Sequence, residues 1–558
     1  MATESSRPWA VDAAPSQWEA PGPGSWLLDG SHAPPNPTRM YQEFTYRTFE
    51  PGMAEAMRRF GAPLAGMQVR FIRGKFFRRL VPLVGANSNR KPPPAPVLWL
   101  ATRLHPAFRQ RERTARQAFG ERTFRRDRDD WFDRERQEWI DKSLALQDED
   151  PGAMEDPALA DHLRRVWGHL VSGGVRHHIL HGVDLGPVGD LLAHTNRWGL
   201  PAAEVASALA GASPATTECV EILGKLAAVV AEHDASPRSL DDVRALGPEA
   251  TRLLDEYLAL FGWRLVTSYD FEGKCLIEMP DVVLASIAAA AADARPTGDG
   301  GAAIARLRER VPEAERAAFD RLMDDARYVY GLRDDNGPLT YEWPAGLFRR
   351  AVTEAGRRLA ACARLAAEDL VWELEFPELV SLVDQGAGPD STELARRAEE
   401  RRQWADDEPP GALGPEEAPP PLGVLPTHLA RGTAAVLAVV DAIEVPVKRR
   451  PLHGTGIGGQ AYTGRARVAY RAEDVLATME PGDVLVAQFT APTYNTVLAI
   501  AGAVVTEMGG PLSHAAVMAR ELGIPAVIGA QGAMEIPDGS QVLVDPAAGR
   551  VSVVATTG

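Results

Sequence analysis

The chain has 558 residues, 45% hydrophobic and 24% charged, an ordinary globular balance on a length that requires more than one hydrophobic core. Its formal net charge of -16 argues against nucleic acid as the main partner, because phosphate backbones need clustered Lys and Arg. Cys219, Cys275 and Cys362 form no CxxC pair, so neither a disulfide framework nor a zinc site is expected, and a reducing, cytoplasmic compartment fits.

Residues 1–40 read as an extended arm, with PGPG at 21–24 and PPNP at 34–37 and without the apolar stretch of a signal peptide. From 41 to 405 the apolar residues recur with a helical period, in segments 100–148, 158–172, 201–234, 239–262, 302–326, 345–368 and 391–405. The stretch from Arg109 to Leu146 is dense in Arg, Asp and Glu around Phe124, Trp131, Phe132 and Trp139. It reads as one long helix with a packed stripe and a solvated face, or as a docking face for a partner subunit. Breaks are expected at 264–280, where 265–267 and 274–279 suit short strands or a loop, and after Tyr328, where GLRDDNGPLTYEWP is rich in turn residues.

Prolines crowd 409–426 and cannot sit inside helices or central strands, so this stretch is a linker or a surface strap. A helix at 428–443 and a polar connector complete a hinge region, 406–453. From 454 to 558 the texture becomes α/β. The β-rich pieces are 465–470, 483–488, 502–506, 525–528, 541–544 and 551–554, with helical pieces at 492–500 and 514–522. The expected fold class is α + α/β: a large, mainly helical N-terminal domain (41–405), a linker, and a small C-terminal α/β domain (454–558). The most apolar segments, 282–292 and 434–445, fall short of the roughly 20 residues a membrane span needs, so no membrane partner is expected.

The chemistry concentrates in TEMGGPLSHAAVMARELGIPAVIG, residues 506–529. A buried strand runs into a turn containing Gly509 and Gly510, which permits unusual backbone conformations and exposes N–H groups. Ser513 and His514 then open a short helix, which Gly523 stops. A helix N-terminus beside such a turn is a ready anion site. The positive end of the helix dipole disfavours imidazolium, which suits a nucleophilic histidine, and then favours a phosphoryl group carried on it. Thr506 and Ser513 could donate to the phosphoryl oxygens. Arg520 could add positive charge, or pair with Glu521, or pack in a groove.

This order of strand, Gly-Gly turn, Ser-His, apolar helix, Arg-Glu and Gly-Ile-Pro-Ala-Val resembles the swivelling phosphohistidine domain of the phosphoenolpyruvate (PEP)-utilising enzymes. Upstream, GTGIGGQAYTGRARV (454–468) and GDVLVAQFTAPTY (482–494) continue the resemblance, although Ile457-Gly458-Gly459 stands where the family has a Ser-Pro-Gly-like turn. The resemblance implies that His514 is a phosphoryl carrier. SHAPPNPTRMYQEF (31–44), FGWRLVTSYDFEGKCLIEMP (261–280) and 348–383 resemble the acceptor-binding part of rifampicin phosphotransferase-like proteins.

No stretch shows the glycine loop, Lys and paired carboxylates of an ATP-grasp domain, and no pyruvate barrel follows the histidine domain. The layout resembles the histidine-bearing subunit of phenylphosphate synthase. It implies ATP and Mg2+ held by a separate ATP-grasp partner, with none bound by this chain, and a small-molecule hydroxyl acceptor.

Candidate acceptor-site residues are His32, His177, His178, His181, Arg264, Glu278 and Arg333, since transfer needs a base near the hydroxyl and cations near the moving phosphoryl. The histidine cluster also reads as ordinary helix packing. His177 and His181 have the i, i+4 spacing of metal ligands, but without a neighbouring carboxylate motif no metal is expected. Arg264 and Glu278 also read as a buried ion pair. The expected function is a dikinase-type phosphotransferase component, incomplete without its partner. The alternatives are a non-catalytic docking or regulatory protein, and a biosynthetic enzyme that phosphorylates its substrate to prepare an elimination or condensation.

Overall fold

The computed structural model describes residues 18–29, 36–85, 93–212, 215–292, 300–405, 407–415, 421–443, 451–470, 474–475, 478–490 and 494–555. The chain forms two compact units, each discontinuous in sequence. One comprises Met1–Val183, Tyr269–Gly273 and Pro338–Thr433, the other Asp184–Ser268, Lys274–Gly337 and Ala434–Gly558. The stretch 41–405 is therefore shared between them. Its helical N-terminal character and the α/β C-terminus agree with the expected class.

In the first unit, strands β1 (Trp26–Leu28), β2 (Leu64–Ile72), β3 (Lys75–Pro82) and β4 (Ala412–Leu413) form an antiparallel sheet in the order β2-β3-β1-β4. The β2–β3 hairpin is a sheet element within the mainly helical stretch 41–405 that the helical period did not indicate. Its turn, Arg73-Gly74, has both residues at positive φ, 49° and 71°, which matches the twist of the flanking strands. Phe71 and Phe76 are buried on one face of the hairpin and Phe77 on the other. Strand β4 lies in the Pro-rich segment and pairs with β1, the strap of the two alternatives.

The helix Arg39–Arg59 starts at Thr38, whose Oγ1 accepts from the Tyr41 N–H. Thr38 in turn donates from N and Oγ1 to the Asp270 carboxylate at 2.5 and 2.6 Å. Beside Asp270, fully buried Phe271 packs against the rings of Tyr41, Phe44 and Phe348. The single long helix expected over 109–146 is instead Pro106–Gly120, Thr123–Asp130, a π-helical turn Trp131–Glu135, and Arg136–Gln147. Arg122, at φ 51°, makes the break. After Tyr328 the reverse holds. The turn-rich residues lie in the helix Arg316–Gly337 and a π-helical turn Pro338–Glu342, because Asp335, Asn336 and Thr340 are buried rather than solvated.

In the second unit, strands β5 (Thr455–Ile457), β6 (Tyr462–Ala469), β7 (Val484–Ala487), β8 (Ala503–Thr506), β9 (Ala526–Ile528), β10 (Gln541–Asp545) and β11 (Arg550–Ala555) form a mixed sheet. Its order is β11-β10-β6-β7-β8-β9-β5, with β6 to β9 parallel. The inner strands are short continuous apolar runs, as parallel strands covered on both faces require. The helices Asn495–Ile500 and His514–Glu521 connect them. This sheet shares its core with the unit's helical part. Leu512 and Val517 pack with Leu191, Phe319, Met323 and Tyr330, and Val497 and Ala516 belong to the same apolar cluster as Leu254 and Val283. The break expected at 264–280 is present as a Leu265–Cys275 bridge and a 3-10 turn, Leu276–Glu278. Among the described residues no helix is long and apolar enough to cross a membrane.

Candidate functional site

The site forms at the carboxyl ends of β7 and β8, where ligands gather in open parallel sheets. Strand β8 ends at Thr506, whose carbonyl accepts from the Ala530 N–H at 2.7 Å. The turn that follows needs glycine. Gly509 has φ 109°, and a Cβ there would come within 2.9 Å of Ser513 Cβ and Oγ. Gly510 accepts from the Ser513 N–H at 3.0 Å, which closes the turn.

Ser513 is the N-cap of the histidine helix, His514–Glu521, with its hydroxyl not used for capping. The Ser513 and Thr506 hydroxyls are both buried without a hydrogen-bond partner among the described residues. Orphaned polar atoms of this kind fit a site that receives an oxygen-rich group.

His514 Nδ1 lies 2.8 Å from Thr490 Oγ1. Thr490 follows β7, next to β8 in the sheet, so parallel pairing brings the ends of the two strands together. The histidine keeps only a partly exposed edge. Desolvation, and secondly the Arg333 guanidinium, push its pKa down to about 3, so the imidazole is neutral at physiological pH. Arg333 comes from the helix Arg316–Gly337, and its Nη1 donates to the Leu512 carbonyl at 3.4 Å.

Arg520 is buried, with Nη1 donating to Pro511 O at 2.6 Å and Ala516 O at 3.2 Å. Its cation thus staples the turn that precedes His514. Of the three sequence readings for Arg520, packing in a groove describes these contacts best. Burial lowers its pKa to about 10.

The described acceptor candidates are divided between the two units. Arg333 joins His514. In the same unit, Arg264 donates from Nε to Leu260 O and lies over the Phe261 ring at 4.2 Å. There too, Glu278 accepts from the Cys275 N–H at 2.7 Å and closes the 3-10 turn. His177, His178 and His181 lie in the first unit, on the helix Asp156–Arg197. His177 Nε2 and His181 Nε2 are 3.0 Å apart, sharing a hydrogen, and His178 Nδ1 donates to Gly174 O at 2.6 Å. His32 lies outside the described residues. Thr490 is the functional neighbour that sequence reasoning missed, although it sits in the 482–494 stretch that carried the family resemblance.

Two segments match known family models. Residues 479–549 match the mobile domain of PEP-utilising enzymes, and residues 188–334 match the fourth domain of rifampicin phosphotransferase. The first match lies in the second unit, and the second lies there too apart from 269–273. The chain is 27% identical over 334 residues to a rifampicin phosphotransferase of Streptomyces sviceus, covering 55% of this chain and 35% of that one. It is 28% identical over 312 residues to an uncharacterised phosphotransferase of Bacillus subtilis, covering 54% and 36%. An uncharacterised Mycobacterium tuberculosis protein is 35% identical over 209 residues, 37% of this chain and 22% of the relative. The chain thus spans about a third or less of the length of these relatives. The matches are consistent with phosphoryl transfer through a histidine domain.

Proposed function

We propose that the protein is a phosphotransferase component that carries a phosphoryl group on His514 and delivers it to a small-molecule hydroxyl. The observation that carries this reading is a buried neutral imidazole at a helix N-terminus, bonded at Nδ1 to Thr490 and flanked by Arg333.

With Nδ1–H donating to Thr490 Oγ1, Nε2 is the nitrogen that attacks phosphorus. The N–P bond forms as the bond to the donor's leaving oxygen breaks. Arg333 and the helix N-terminus offset the phosphoryl charge, and the Ser513 and Thr506 hydroxyls donate to its oxygens. In the second half, the acceptor oxygen attacks phosphorus, a base takes its proton, and the N–P bond breaks. Low basicity makes the imidazole a good leaving group, so the pressure that keeps His514 neutral also favours delivery.

The donor in this reading is ATP with Mg2+, held by a separate ATP-grasp partner, and the compartment is the cytoplasm. Among the described residues no group of three or more His, Cys, Asp or Glu could hold a metal ion, so no step is assigned to a metal on this chain.

The test is transfer of label from γ- or β-labelled ATP in the presence of the ATP-grasp partner. Acid-labile, base-stable label should appear on the chain and be absent from His514→Ala. Acceptor phosphorylation that survives His514→Ala would overturn the reading, and a wild-type chain that never takes label would favour a docking protein.

A further inference from the structure

The histidine helix is held at both ends by the unit's helical part. At its start, Arg333 reaches the Leu512 carbonyl. At its end, Glu521 is only 7% exposed, an unusual burial for a carboxylate. It accepts a hydrogen bond from the Gly211 N–H, in the turn after the helix Ala202–Ser207.

That turn is itself fixed. Arg327, from the helix Arg316–Gly337, donates from Nη1 to Ala208 O at 2.5 Å and Ala210 O at 3.1 Å. Gly300, which opens the helix Gly300–Arg310, closes the node, since a Cβ there would lie 2.6 Å from Arg327 Nη1. The charged groups that face Glu521 are Arg327 and Asp334 from the helix Arg316–Gly337, and Arg520 from its own helix. Tyr330 lies among them, within electrostatic reach of Asp334, Arg520 and Glu521.

We propose that Glu521 is the docking residue of the histidine helix: its carboxyl side chain seats the helix in the 208–211 turn, and its charge state sets how readily the helix leaves. Two cations and an N–H favour the ionised form in this seat, while burial and Asp334 oppose it. The opposition wins, because desolvation first and Asp334 second raise the Glu521 pKa to about 7. A Glu521 released into water regains its ordinary pKa. Docking is therefore strongest below the ordinary carboxylate range and weakens as pH rises through about 7, by up to about tenfold per pH unit within that window. A carrier must leave one site to visit another, so a seat that is only marginally stable near neutral pH suits one that swivels.

His514 itself opposes this trend. Its docked pKa of about 3 means that docking expels a proton below the ordinary histidine range, so docking strengthens with rising pH there. The experiment is therefore done in a His514→Ala background, where Glu521 titrates without it. Because it needs no turnover, its failure is distinguishable from failure of the carrier reading.

Amide hydrogen exchange of the full chain, corrected for intrinsic rates, is measured at pH 5.5 and 7.5. Protection of peptides covering 512–522 and 208–211 should fall about tenfold or more between the two, while β7 and β10 stay unchanged. Adding Glu521→Gln should abolish the fall. A fall that persists with Glu521→Gln, or no fall in His514→Ala, overturns the proposal. Should Glu521→Gln misfold, Asp334→Asn serves in the same background: removal of the like charge must shift the fall to lower pH, and an unmoved midpoint overturns the proposal.

Discussion

Thr490 and Arg333 reach His514 from segments far apart in sequence and act on it differently. Thr490 Oγ1 lies within hydrogen-bond distance of Nδ1, and Arg333 adds to the desolvation that lowers the ring's pKa. Thr490→Val removes the hydrogen-bond partner while keeping the shape. Loss of a buried partner costs roughly 1–3 kcal/mol, so labelling of His514 should slow by about tenfold to a hundredfold, and Thr490→Ser should restore most of it. Single-turnover labelling measures both, and an unaltered rate in Thr490→Val would show that Thr490 does not orient the ring.

Legibility at this scale is uneven for a physical reason. His514 lies in a contiguous motif whose local geometry is its function. Arg333, Thr490, Arg327 and Glu521 matter through tertiary contacts. Of these only Arg333 stands out in the sequence, as an acceptor residue rather than as a neighbour of His514.

At the scale of elements, the turn before the histidine helix has the least freedom. Gly509→Ala must place a methyl against Ser513 at a φ that L-residues avoid. We expect roughly 1–3 kcal/mol of local strain, read as a lower melting temperature together with loss of His514 labelling. Gly459→Ala, where a Cβ meets open space, should do neither.

The C-terminal strands are readable because β7 and β8 are unbroken apolar runs between turn residues, a pattern that leaves little choice. The β2–β3 hairpin is not. Its inward residues are interleaved with Arg70, Arg73, Arg78 and Arg79, and its helical flanks dominate any sequence window that contains it. The 109–146 segment shows the limit of periodicity: its pattern runs on through Arg122, yet one left-handed residue turns the chain.

For the whole molecule, each unit holds a buried histidine that is neutral when folded. His514 serves the second unit. In the first, His169 stacks on Trp139 and hydrogen-bonds Ser143, and burial pushes its pKa down to about 3. Both are depressed, so their contribution to stability is full above the ordinary histidine pKa, near 6.5. It is lost as pH falls toward about 3. Unfolding followed between pH 4 and 7 in the parent chain and in His169→Gln should show a stability difference that shrinks with acid. An unchanged pH profile in His169→Gln would refute the assignment.

A fragment of residues 454–558 alone should be less stable than the same segment within the chain. Leu512 and Val517 would lose the helical residues they pack against. Comparative thermal melts of fragment and full chain would check this, and equal melting temperatures would contradict it.

The Thr38–Asp270 contact has a consequence for the order of synthesis. The cap of the helix Arg39–Arg59 depends on a carboxylate 232 residues further along. The first unit also takes its last strand from 412–413, so it cannot close until the ribosome has made most of the chain. The N-terminal segment must wait, partly assembled, while much of the second unit is still being made. Met1–Val183 therefore cannot finish folding as it emerges, and the first unit can close only once 412–413 has been made, still ahead of Ala434–Gly558 of the second.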